Sequence, residues 1–154
     1  MTVQSEPLFT VSFKTAAVID IGSVSSGHRM VAPIIGGSFE GPRLHGEVLP
    51  VGGDWLVARR DGSFVLDVRA ILKTHRGEII SMTYGGRWVI PPDIRKEVLG
   101  PQTGPQVDPK RFYLRVNPLF ETGSPDVAWL NDVVAIGLGR PIVGGIQHEV
   151  FVIK

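Results

Sequence analysis

Stretches in which every second residue is apolar recur along this chain. In residues 8–14, Phe9, Val11 and Phe13 fall on one face and Thr10, Ser12 and Lys14 on the other. That period-two alternation is the signature of a half-buried strand. Residues 64–73 show it most clearly, with Phe64, Leu66, Val68, Ala70 and Leu72 set against Val65, Asp67, Arg69, Ile71 and Lys73. Residues 111–121 repeat it, with Phe112, Leu114, Val116 and Phe120 opposite Arg111, Tyr113, Arg115, Asn117 and Glu121. Shorter runs at 18–21, 29–35, 39–49, 55–59, 78–84, 133–138 and 147–153 read as further strands.

Turn residues separate these runs. Gly36-Gly37 stops one, Gly41-Pro42 interrupts another as a bulge or bend, and 50–53 reads as a turn. Asp61-Gly62 marks a hairpin, and 74–77 marks a second. Two short helices are predicted. One covers 92–99 and is stopped by Gly100; the other covers 125–130, with Ser124 as N-cap and Pro125 at the first helical position. The proline-rich stretch 100–110 is a long loop of the kind used as a lid or mobile segment.

Eight or nine strands with tight turns present many sheet edges, and closure removes edges. The prediction is an all-β fold, a small antiparallel β-barrel with one or two short helices, over a single domain spanning 1–154. A sandwich is the alternative. Nineteen glycines and twelve prolines, scattered along 154 residues, suit a chain with this many turns.

Composition narrows the function classes. The net charge of +1 and the lack of any like-charge run argue against a nucleic-acid partner. With no cysteine there is no disulfide framework, thiol nucleophile or cysteine-type zinc site. The first residues have no basic, apolar leader pattern, and no run nears the roughly 18 apolar residues of a membrane span. These features lead us to expect a cytoplasmic protein with no membrane partner.

The run Gly36-Gly37-Ser38-Phe39-Glu40-Gly41-Pro42-Arg43-Leu44-His45-Gly46 is followed by Val48-Leu49-Pro50 and Gly53-Asp54-Trp55. Leu66-Asp67-Val68-Arg69, Phe120-Glu121-Thr122-Gly123 and Ala128-Trp129-Leu130-Asn131 come later. Together, and in this order from about Pro7 to Val152, they resemble the domain of unknown function 3237 family, also called uncharacterised protein family 0311. The resemblance implies a small β-barrel similar to those of allene oxide cyclase and the dirigent proteins. It implies no common activity and carries over no catalytic residue.

Asp67 and Arg69 leave one face of a strand, and Tyr113, Arg115 and Glu121 leave one face of another. Turned into a barrel, they would supply acid–base groups (Asp67, Tyr113, Glu121) and forked donors for an anionic substrate group (Arg69, Arg115). Trp55 and Trp129 would wall a pocket at a barrel mouth, or plug the core. Asn131 would contact substrate, or cap the helix before it. The simpler reading puts the apolar faces inside and these polar faces in water or against a partner subunit; alternation alone leaves the choice open.

The four histidines have no metal-ligand spacing, and His28 in its Gly/Ser turn reads as solvent-exposed. Gly137-Leu138-Gly139 with Gly144 lacks the spacing and the following helix of a phosphate loop. No metal and no cofactor are expected. The functional expectation is a cofactor-independent isomerase, cyclase or lyase that moves protons on a small carbonyl compound in the barrel. A non-catalytic carrier or sensor of an apolar ligand and a structural oligomer with a packed lumen are the alternatives. Val65, Ile71 and Leu119 on the second strand faces suggest a homodimer.

Overall fold

The computed structural model describes residues 2–154. Eleven strands follow one another: β1 (Ser5–Thr15), β2 (Ile19–Val24), β3 (Gly27–Glu40), β4 (His45–Asp54), β5 (Val57–Ala58), β6 (Phe64–Thr74), β7 (Ile79–Val89), β8 (Tyr113–Val116), β9 (Leu119–Glu121), β10 (Ala135–Ile142) and β11 (Gly145–Ile153). A single helical turn, α1 (Arg95–Val98), and three 3₁₀ segments interrupt them. Going round the sheet, β1 pairs β3, then come β4, β6, β7, β8, β10 and β11, and β11 returns to β1. All eight pairings are antiparallel, so the sheet is a closed eight-stranded barrel. Strand β2 lies outside β3, β5 bridges β3 and β6, and β9 extends β7.

The apolar face of each alternating run points inward. Phe64, Leu66, Val68, Ala70 and Leu72 are all buried, while Asp67, Arg69 and Lys73 are exposed. One end of the barrel is filled: Phe9 stacks at a tilt on Phe39 with ring centres 5.3 Å apart and meets the edge of Phe120 at 5.8 Å. Leu72, Ile80 and Leu130, none of them solvent-accessible, complete this plug.

Several expected boundaries move. Gly36-Gly37 does not end a strand: β3 runs through both glycines, at φ +147° and +141°. A Cβ at Gly37 would collide with the Ser12 carbonyl, so the missing side chain lets β3 turn a barrel corner against β1. The expected turn at 50–53 lies within β4, with its register irregularity between Val48 and Gly52. The break in the run 39–49 is the turn between β3 and β4. The run 111–121 is two strands, because Pro118 offers no N–H to a ladder. Both predicted helices shrink: 92–99 to the four residues of α1, and 125–130 into a 3₁₀ segment to which Ser124 gives no side-chain cap. The loop 100–110 is folded into two 3₁₀ turns that bury Gly104 and Val107.

Candidate functional site

The other end of the barrel is hollow. Above the plug lies a cavity of about 810 Å³, walled by Phe13, Ile34, Phe64, Leu66, Val68, Trp88, Leu114 and Ile146, and roofed by Val98, Leu99, Pro101 and Pro105. Its size suits a drug-sized ligand. Two small residues, Ala32 and Ala58, line the cavity, whereas the space beside Gly86, Gly137 and Gly139 is taken up by Val116, Leu114 and His148.

Three ionisable groups reach the inner part of the cavity. Asp54, the last residue of β4, lies opposite Val68 of β6 and Ala32 of β3, so its carboxyl shares their inward face. Val68 in turn lies opposite Tyr84 of β7. Asp54 and Tyr84 are therefore two strand spacings apart, roughly 10 Å between backbones, with both side chains pointing into the lumen. Tyr84 Oη lies 3.3 Å from Nε2 of His148, which enters from β11. The His148 ring meets the Tyr84 ring edge-on and packs beside Phe13.

Burial sets the ionisation of all three. It pushes the Asp54 carboxyl up to about 6, aided by the nearby Asp67 charge and opposed by the Asp67 backbone N–H, which donates to Asp54 Oδ1 at 3.0 Å. Burial lowers His148 to about 4, so its imidazole is neutral near pH 7. Burial, and then the Asp54 charge, hold the Tyr84 phenol well above its ordinary range, so it stays protonated. His148 Nδ1 has no hydrogen-bond partner among the described residues and lies against Gly139.

None of the candidate site residues named from the sequence lines this cavity. The expectation that Asp67, Arg69, Tyr113, Arg115 and Glu121 share the lumen is corrected. Asp67, Arg69 and Glu121 are exposed on the outer wall because their strands turn the apolar alternate residues inward. Tyr113 is 52% exposed, and the Arg115 guanidinium covers its ring at 4.9 Å. Trp55 also lies on the outside; its carbonyl accepts from Arg29 Nη1 at 2.6 Å. Trp129 sits at the plugged end under the Arg43 guanidinium, 3.9 Å from the ring centre, beside a second pocket of about 180 Å³. Asn131 is structural: its amide accepts from Thr122 N at 2.8 Å and donates to Thr122 O at 3.0 Å, closing the turn after β9.

Asp54, Tyr84 and His148 were not recognised from sequence. Asp54 stands between the expected turn 50–53 and the expected strand 55–59, and Tyr84 reads as a strand end. The usable signal was His148 itself. It alternates with Ile146, Val150 and Val152 on a strand whose other face is Gln147 and Glu149, which puts a histidine on an apolar, inward face.

Fold and cavity together define a closed antiparallel barrel with one ligand-sized chamber and acid–base groups on its inner wall. The chain belongs to the family described as protein of unknown function (DUF3237), whose model matches residues 3–153. Curated relatives carry the name UPF0311 protein; that of Rhodopseudomonas palustris strain TIE-1 is 30% identical over 136 residues, covering 88% of this chain and 87% of the relative. Among solved structures, the conserved protein of unknown function RPA1785 from Rhodopseudomonas palustris superposes with a TM-score of 0.91 at 26% identity, covering 100% of this chain and 99% of that one. A β-barrel like protein from Acinetobacter baumannii gives 0.86 at 33% identity, covering 100% and 98%. An enzyme from Penicillium herquei gives 0.73 at 20% identity, covering 100% and 96%, a likeness of fold.

Proposed function

We propose that this protein is a proton-transfer enzyme, an isomerase, cyclase or lyase, acting on a small, partly apolar carbonyl compound held in the barrel. The observation that carries this reading is a single carboxyl, Asp54, in an apolar chamber, poised at about 6 and facing the same space as Tyr84. A general base works best when its pKa lies near the working pH. An enzyme from Penicillium herquei has the same fold, which supports a catalytic use of the barrel.

Each group has a role. The Asp54 carboxylate takes a proton from the carbon beside the carbonyl; the electron pair of that C–H bond forms a C=C bond, and the carbonyl π pair moves to the oxygen. The resulting enolate oxygen accepts a hydrogen bond from the Tyr84 hydroxyl. An unpartnered N–H in the interior is rarer than an unpartnered lone pair, which favours placing the neutral His148 proton on Nε2. From there it donates to Tyr84 Oη and leaves the phenol proton free for the ligand. Asp54 then returns its proton at another carbon, or to a leaving group.

The dominance of apolar side chains in the wall favours a second reading, a non-catalytic carrier of an apolar ligand. Deuterium uptake from D₂O into the α-positions of aryl and alkyl methyl ketones, followed by NMR, separates the two. Uptake that disappears in Asp54→Asn while ketone binding persists is the expected result. Binding without uptake by the unaltered protein would leave the carrier.

A further inference from the structure

We infer that the mouth of the cavity is a carboxylate subsite built on Arg95 and Trp88, so that the chamber takes an elongated ketone with a carboxylate at its outer end. The ketone half of this assignment rests on the proton-transfer reading; the carboxylate half stands on the following geometry.

Among the described residues, Arg95 is the one lysine or arginine lining the cavity. No acidic side chain lies within 4.0 Å of it among the described residues. Asp61, the acid of the neighbouring turn, is occupied by Ser63 N at 2.9 Å and Ser63 Oγ at 2.5 Å. Of the five N–H donors of the guanidinium, one is used, Nη2 to the Ile90 carbonyl at 3.3 Å, and Nε is buried with no partner. The side chain keeps its place by lying across Gly62, at φ +81°, where any Cβ would collide with the guanidinium.

Trp88 supplies a second unused donor at the same end. Its ring lies 5.7 Å from that of Phe64, two residues beyond Gly62, and its Nε1 is buried with no partner. Buried donors without acceptors are rare because each costs free energy. A guanidinium with one committed N–H, answered by Asp61 only beyond 4.0 Å and set at the same end of the cavity as an unpartnered indole N–H, is the complement of a carboxylate. Among the described residues Asp54 is the one acid lining the cavity, and it lies on the wall further in than Arg95.

Strand β7 fixes the span of the ligand. Tyr84 and Trp88 are four residues apart on it, roughly 13 Å at the usual strand rise. A ketone at Tyr84 and a carboxylate at the mouth therefore need a rigid apolar body about two fused rings long between them.

The probe pair is 6-acetyl-2-naphthoic acid and its methyl ester, which share the ketone and the rings and differ in the charge and one methyl group. Titration calorimetry on the intact protein is expected to show the acid binding about tenfold or more tighter than the ester, the scale of a charge-assisted hydrogen-bonded contact. Arg95→Gln should remove the difference and Arg95→Lys restore part of it, with melting curves confirming that both variants fold. Equal affinity of acid and ester for the unaltered protein, binding of neither, or a preference that survives in a folded Arg95→Gln would overturn the subsite. Deuterium uptake into the acetyl methyl is read from the same samples. Acid-selective binding without uptake removes the proton-transfer reading and keeps the subsite; uptake with no acid preference does the reverse.

Discussion

The backbone N–H of Asp67 donates to the side chain of Asp54 at 3.0 Å. Asp67 itself points outward from β6, yet its amide holds the one carboxyl that faces the cavity, and its charge helps raise that carboxyl. The strand therefore acts on the chamber through its backbone while its polar side chains stay in water.

Asp67→Asn keeps the amide and removes the charge. The Asp54 titration midpoint should then move down from about 6 toward the ordinary carboxylate range. Carbon-detected NMR of the Asp54 carboxyl measures this directly; an unmoved midpoint would mean that burial acts alone.

Asp54 and His148 should impose opposite pH dependences on stability. Asp54 is raised from 3.8 to about 6, so its contribution is fully present below the unfolded value and is lost as pH rises through about 6. His148 is lowered from 6.5 to about 4, so its contribution is present above 6.5 and is lost as pH falls through about 4. The unaltered protein should be nearly flat in the overlap. Urea denaturation should show Asp54→Asn gaining relative stability as pH rises and His148→Gln gaining it as pH falls. Each effect approaches about 3 kcal/mol at its limit. Parallel curves for both variants would refute the two assignments.

Gly139→Ala tests the space around the histidine. A Cβ there would lie 2.5 Å from Leu114 Cδ2 and 2.7 Å from His148 Nδ1. We expect a loss of about 1–3 kcal/mol in chemical denaturation, typical of overpacking, with the His148 ring displaced from Tyr84 in the NMR spectrum. An unchanged spectrum would show that the wall gives way instead.

Substitutions on the outer wall should be quiet. Arg69→Ala and Glu121→Ala are expected to change stability by no more than about 0.5 kcal/mol and to leave ketone binding as it was. Asn131→Ala, by contrast, removes both hydrogen bonds to Thr122 and should cost about 1–2 kcal/mol while sparing the cavity. A large binding defect in either outer-wall variant would restore that face as a functional surface.

Period-two alternation was enough to place most strands, because burying one face of a strand constrains every second residue. Which face turns inward was decided by the closed sheet: Phe64, Leu66, Val68, Ala70 and Leu72 are buried, and Asp67 and Arg69 are exposed. Clusters of polar residues on one strand, such as Asp67 with Arg69, are the solvated face. The real cluster is assembled across the barrel. Tyr84 and His148 lie 64 residues apart in sequence and meet only because β7 and β11 are brought round the same lumen. Asp54 joins them because β4 runs on through a stretch that reads as a turn. The chain by itself marked most strands and the family and pointed to a barrel. Closure decided the register between distant strands, the hollow above the plug, and hence which isolated polar residues share one apolar chamber. Those depend on contacts between residues far apart in sequence, which a local pattern does not encode.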